Sequence, residues 1–124
     1  MTSSKPVVLV VEDDQTNMDL VEQVLEDTYS ILKAYNGRTG LGIAGSDLPD
    51  AVLLDIALPE MNGLEVARHL KADPKTARIP IIALTASVMP GDEESARAAG
   101  CDGFIGKPFD EDELLAVLAD LIGR

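Results

Sequence analysis

The chain has 124 residues, 46% of them hydrophobic, which is enough apolar material for one ordinary domain and too much for a disordered chain. Ten Lys and Arg against 22 Asp and Glu leave a formal net charge of −12, with no basic patch and 3% aromatics. That balance argues against direct binding of DNA or RNA, where cationic groups must neutralise phosphates. The first apolar run, Val7–Val11, is too short to cross a bilayer, and its flanks do not resemble a secretory leader. Cys101 is the single cysteine, so no internal disulfide can form. Together these features lead to the expectation of a cytoplasmic protein with no membrane partner.

Five short apolar runs alternate with stretches of helical periodicity. The first run, Pro6–Val11, is apolar on both parities and leads into Glu12-Asp13-Asp14. Met18, Val21, Val24 and Leu25 then recur at three- and four-residue spacing, predicting a helix that Asp14 can cap. Tyr29–Ala34 reads as a second strand, and Gly37–Gly45 as a helix weakened by interior glycines. The third run, Asp50–Asp55, is again apolar on both parities and ends in a carboxylate. A turn-rich loop through Pro59 and Gly63 precedes a helix carrying Leu64, Ala67 and Leu70. Ala72–Arg78 reads as a solvated turn before the fourth run, Ile79–Leu84, which Thr85 closes. After a Pro90-Gly91 turn and a fourth helix, Gly103–Gly106 leads into Lys107-Pro108. Asp110 then caps a last helix marked by Leu114, Leu118, Leu121 and Ile122. Runs apolar on both parities belong to strands covered on both faces, so the class is α/β with a right-handed, doubly wound parallel sheet.

In such a sheet, ligands bind beyond the carboxyl ends of the strands. The residues closing the runs are Glu12, Asp13, Asp55, Thr85 and Lys107. Taken singly each has an ordinary explanation: a cap, a strand end, a solvated lysine or an acidic loop. Taken together they gather carboxylates, a hydroxyl and an ammonium on one edge. Clustered carboxylates repel unless a cation relieves them, and oxygen-only ligands suit Mg2+. With such a metal, Asp55 can serve as a carboxylate nucleophile toward phosphorus. Thr85 can then donate to one phosphoryl oxygen while Lys107 pairs with another.

Four segments resemble the receiver domains of bacterial response regulators, and the likeness spans the whole chain. They are Val10-Val11-Glu12-Asp13-Asp14, Leu54-Asp55-Ile56-Ala57-Leu58-Pro59-Glu60-Met61-Asn62-Gly63, Ala83-Leu84-Thr85-Ala86 and Gly106-Lys107-Pro108-Phe109. Their spacing agrees as well, with 30 residues from Asp55 to Thr85 and 22 from Thr85 to Lys107. The resemblance implies one receiver domain over residues 1–124, with the flavodoxin-like strand order 2-1-3-4-5 and five helices. It implies Asp55 as phosphoacceptor, and Mg2+ (Mn2+ able to substitute) held by Glu12, Asp13, Asp55 and the backbone carbonyl of Ala57. It also implies Thr85 and Phe104 as a coupled switch pair, and a cis Lys107–Pro108 bond. The phosphoryl donor would be a histidine kinase or phosphotransfer protein. A downstream protein would read the surface of the fourth helix, fifth strand and fifth helix. Glu12 stands where many relatives have Asp, which alters the coordination and not the capacity for metal. Asp14 is a helix cap in this reading.

The same residues weigh against rival functions. A turnover phosphatase of the haloacid-dehalogenase type needs a second Asp two residues after the first, and that position is Ala57. A flavin or nucleotide module needs aromatic walls or a phosphate-cradling loop, and neither Gly106-Lys107 nor Gly37, Gly40 and Gly42 forms one. The expectation is therefore a switch rather than a turnover enzyme. Met1 and the full last helix favour a free-standing protein over a segment of a larger regulator or hybrid kinase. His69 is expected at the surface, Cys101 as a packing residue, and Met89 either on a partner surface or packed in a loop.

Overall fold

The computed structural model describes residues 5–58, 60–86 and 89–123. Pro59 of the second motif, Ser87 and Val88 of the loop before Met89, and Met1 lie outside the described residues. Five strands and five helices alternate. They are β1 (Val7–Val11), α1 (Gln15–Leu25), β2 (Ser30–Ala34), α2 (Gly37–Asp47), β3 (Ala51–Asp55), α3 (Gly63–Ala72), β4 (Ile81–Thr85), α4 (Asp92–Ala98), β5 (Gly103–Gly106) and α5 (Glu111–Ile122). All pairings are parallel and the order is β2-β1-β3-β4-β5, as expected.

Parity explains how the sheet is covered. Leu9, Val11, Val52, Leu54, Ile81 and Ala83 face one way and pack with Ala44 of α2, Val66, Ala67 and Leu70 of α3, and Ala96 of α4. Val8, Val10, Ala51, Leu53, Ile82 and Leu84 face the other way and pack with Met18, Val21 and Leu25 of α1, and Leu114 and Leu118 of α5. Every residue of β3 and β4 is buried, which is why those runs carry no alternation.

The caps fall where the side chains allow. Asp14 accepts from the Thr16 and Asn17 amides at 2.8 and 3.4 Å, and Asp110 from Asp112 and Glu113 at 2.8 and 3.3 Å. The weakly predicted α2 forms because Asn36 caps it, accepting from Thr39 N at 2.8 Å, and because its bare glycine face lies close to its neighbours. A Cβ on Gly40 would stand 2.9 Å from Val11, and one on Gly37 would stand 2.8 Å from Val66.

The strand boundaries shift by one or two residues at prolines and caps. β1 and β4 begin after Pro6 and Pro80, which have no N–H to give the ladder. Asp50 lies outside β3, with its carboxylate accepting from Val7 N at 2.7 Å.

The segment Ala72–Arg78 is more than a solvated turn. Thr76 is 2% exposed, and its hydroxyl donates to Leu70 O at 2.6 Å. The Lys71 ammonium crosses beneath the segment to Ala77 O and Ile79 O, each at 3.0 Å. A buried hydroxyl must find an acceptor, and the loop folds inward to give it one.

Candidate functional site

The parallel register brings the ends of β1, β3, β4 and β5 level. Val11 lies opposite Leu54, Asp55 opposite Leu84, and Thr85 opposite Gly106. The next residue out on β1 is Glu12, whose amide donates to Ala34 O at 2.9 Å. The next out on β5 is Lys107, whose amide donates to Thr85 O at 2.7 Å. Backbone pairing thus fixes where both charged side chains start. The Lys107–Pro108 bond is cis.

The side chains converge. One carboxylate oxygen from each of Glu12, Asp13 and Asp55 lies within 4.8 Å of the others. Glu12 and Asp55 are 1% and 5% exposed, while Asp13 opens to solvent. The Lys107 ammonium lies 2.8 Å from Glu12 Oε1 and 3.4 Å from Asp55 Oδ2. Asp55 Oδ1 accepts from the Ala57 amide at 3.0 Å, and Glu12 Oε2 accepts from the Asp14 amide at 3.2 Å. Thr85 is buried at the adjoining strand end.

Electrostatics follow from this crowding. Burial pushes the Glu12 carboxyl above its usual value; the Lys107 bond opposes that, and neighbouring Asp55 adds to it. For Lys107, burial pulls the ammonium down, but the carboxylates of Glu12 and Asp55 more than offset it and hold its pKa above the ordinary lysine value. A buried carboxylate that is costly to ionise, facing two more in an oxygen-only set, fits a hard divalent cation. Exposed Asp13 leaves that position open to water.

Two features close to the site were not evident beforehand. One is Gly63, where an added Cβ would come within 2.5 Å of Asp55 O and 2.7 Å of Ile56 Cα. The loop after β3 can therefore fold back against the acceptor strand only with glycine there, which its position after Asn62 in a turn-rich stretch hinted at. The other is the direct Glu12–Lys107 pair. The extra methylene of Glu over Asp was its only signal.

Phe104 pairs with Ala83 across β4 and β5, shares the α4-facing parity of Thr85, and is half-buried against that half of the core. With Met89, Pro90, Gly91 and Arg97 it lines a depression of about 460 Å3. A groove of about 550 Å3 on the other side runs from Glu12 and Lys107 along Asn17, Leu20 and Val24 of α1 to Phe109. His69 is exposed, Cys101 is buried among apolar neighbours, and Met89 is 62% exposed. No helix among the described residues is long and apolar enough to cross a membrane.

Comparison with known proteins agrees with this arrangement. The polar-differentiation response regulator DivK of Brucella anthropi is 39% identical over 117 residues, covering 94% of this chain and 95% of that protein. Among solved structures, a receiver domain of the sensor histidine kinase PA1611 from Pseudomonas aeruginosa, with magnesium coordinated in its active-site cleft, is 33% identical with a TM-score of 0.91. The match covers 98% of this chain and 100% of that one. The chemotaxis protein CheY4 of Vibrio cholerae is 28% identical with a TM-score of 0.89, covering 95% and 99% of the two chains. The sequence profile of the response regulator receiver domain matches residues 8–119, from the first strand through most of α5. The site's geometry, the strand order and this match together make the chain a member of the response regulator receiver domain family.

Proposed function

We propose that the chain is a phosphoacceptor switch that takes a phosphoryl group onto Asp55. One observation carries this reading. The buried Asp55 carboxylate has the Glu12 and Asp13 carboxylates within 4.8 Å, while the Lys107 ammonium stands 3.4 Å from its Oδ2. Anionic ligands for a cation and a cationic partner for a phosphoryl oxygen thus flank the same carboxyl group.

The donor is a phosphohistidine of a histidine kinase or phosphotransfer protein. An Asp55 oxygen forms the new bond to phosphorus as the phosphorus–nitrogen bond breaks. The electron pair leaves on the donor imidazole, which regains a proton from solvent. Mg2+, held by Glu12, Asp13, Asp55 and the Ala57 carbonyl and replaceable by Mn2+, would supply charge neutralisation of the transferring group. The Lys107 ammonium pairs with one phosphoryl oxygen, and the Thr85 hydroxyl donates to another.

The phosphorylated state draws Thr85 toward the site, and Phe104, on the same face, repacks behind it. This shifts the population between two packings of the α4–β5–α5 surface. A downstream protein reads that surface in the cytoplasm, and the output is binding rather than turnover. The acidity of the chain disfavours nucleic acid as a direct target.

The test is incubation with acetyl phosphate and Mg2+, followed by intact mass measurement. Wild type should gain one phosphoryl group, and both Asp55→Asn and chelation of the metal should abolish the gain. A gain that persists in Asp55→Asn would place the acceptor on another residue.

A further inference from the structure

The two ends of α4 are held very differently. Of its residues only Ala96 is buried, so little packing fixes it to the sheet. Its own bonds keep it stiff: the Arg97 guanidinium pairs with Glu93 at 2.9 Å, and Ser95 N donates to Gly91 O at 2.9 Å. A glycine of positive φ stands at each end, Gly91 at 91° and Gly100 at 108°. A Cβ on Gly91 would meet nothing within 4 Å, whereas one on Gly100 would stand 2.5 Å from Lys71 Cγ. The amino end has room to turn, and the carboxyl end is clamped.

Lys71 and Asp102 build the clamp. Lys71 Nζ donates to Asp102 Oδ2 at 3.2 Å and to Ala77 O and Ile79 O, each at 3.0 Å, so all three ammonium protons are engaged. The same Asp102 oxygen accepts from Ile81 N at 2.9 Å, and the Asp102 amide donates to Ile81 O at 2.7 Å. Asp102 O in turn accepts from Arg97 Nη1 at 3.3 Å. One acidic residue thus ties α3, α4 and the starts of β4 and β5 together, a full strand away from Thr85 and Lys107. We propose that α4 is a lever with Asp102 and Lys71 as its fulcrum: its amino end swings across the hollow lined by Phe104, Glu93 and Glu94 while its carboxyl end stays fixed. Such a swing changes the cover over Phe104 and leaves the entrance of β5 undisturbed. The lever's purpose rests on the switch reading above, but its fulcrum is measurable without any phosphoryl donor.

The first test is amide hydrogen exchange of the unmodified chain, wild type against Lys71→Met, which keeps the aliphatic stem beside Gly100 and removes the ammonium. The Asp102 and Ile81 amides should lose protection roughly tenfold more than the β1 amides, which follow global stability. Asp102→Asn, which keeps an oxygen for Ile81 N, should give the same pattern at smaller size and serves if Lys71→Met does not fold. An equal loss at all these amides makes the pair a general stabiliser and overturns the fulcrum. The second test adds Mg2+ and beryllofluoride, a phosphoryl mimic, and follows backbone resonances. In wild type, Glu93 and Glu94 should move more than residues 99–102, and Lys71→Met should spread the movement into residues 99–102. Uniform movement along α4 overturns the lever. An Asp55 amide that responds while α4 stays still refutes the lever and keeps the acceptor. An Asp55 amide that does not respond counts against the acceptor, and the exchange result then decides the fulcrum alone.

Discussion

At the scale of single residues, burial decides behaviour that residue type leaves open. Cys101, 5% exposed, has its thiol pushed up to about 11, chiefly by burial, with the Asp102 charge adding to it. Its folded pKa is raised, so the proton is held more tightly in the native state. The associated stability is complete below the unfolded pKa near 9 and is lost as pH climbs through the folded value. Urea denaturation should therefore show a fall of roughly 2–3 kcal/mol across that window, diminished in Cys101→Ala relative to the change in wild type. At pH 8 the thiol should also resist iodoacetamide until the chain is unfolded.

Residue identity announced Asp55, Thr85 and Lys107 because they close apolar runs, where polar side chains stand out. It could not announce that Lys107 sits on Glu12, since that pair joins residues 95 apart in sequence and depends on how far one carboxylate reaches. Nor could it announce the buried hydroxyl of Thr76, which looks like any loop threonine until its acceptor at Leu70 is seen.

At the scale of elements, helical glycines have opposite meanings according to what lies beside them. Gly42 and Gly45 of α2 have nothing within 4 Å of where a Cβ would stand. Gly42→Ala and Gly45→Ala should each raise stability by about 0.5–1 kcal/mol, read from the denaturation midpoint at unchanged slope. Gly63 at the start of α3 is the reverse case, because a methyl group there meets the Asp55 and Ile56 backbone. Gly63→Ala should cost about 1–3 kcal/mol and displace the loop bearing Ala57, lowering Mg2+ affinity as well.

Leu48 ends α2 at a φ of 48° and is half exposed, a left-handed cap held by a side chain that gains little from it. Leu48→Gly should add up to about 1 kcal/mol. The elements themselves were legible in the alternation of apolar runs, and only α2 was doubtful. Its glycines lower helix propensity, yet Gly37 and Gly40 are what permit close approach to α3 and β1, and sequence periodicity does not register a side chain that is absent.

At the scale of the molecule, a net charge of −12 on 124 residues means that general self-repulsion and a specific acidic nest act together. Sodium chloride should relieve the first, while only a divalent cation should relieve the second. Millimolar MgCl2 should therefore raise the melting temperature beyond NaCl of equal ionic strength. Mg2+ at about 100 times its Kd corresponds to roughly 2.7 kcal/mol. Asp13→Asn, which removes an exposed carboxylate of the cluster without disturbing the core, should shrink that difference, and an unchanged difference would exclude Asp13 from the metal set. The two halves of the core should meanwhile respond independently. Val21→Ala and Val66→Ala lie on opposite faces of the sheet, so their destabilisations should sum to within about 0.5 kcal/mol.

That division of the interior has an evolutionary corollary. The groove beside α1 is backed by one layer of packing and the hollow around Phe104 by the other, with the sheet, buried throughout at β3 and β4, as the wall between them. Drift in one layer leaves the other's fit untouched. The shape of one flank can thus diverge while the opposite flank keeps its own, and the shared strand tips stay in place throughout.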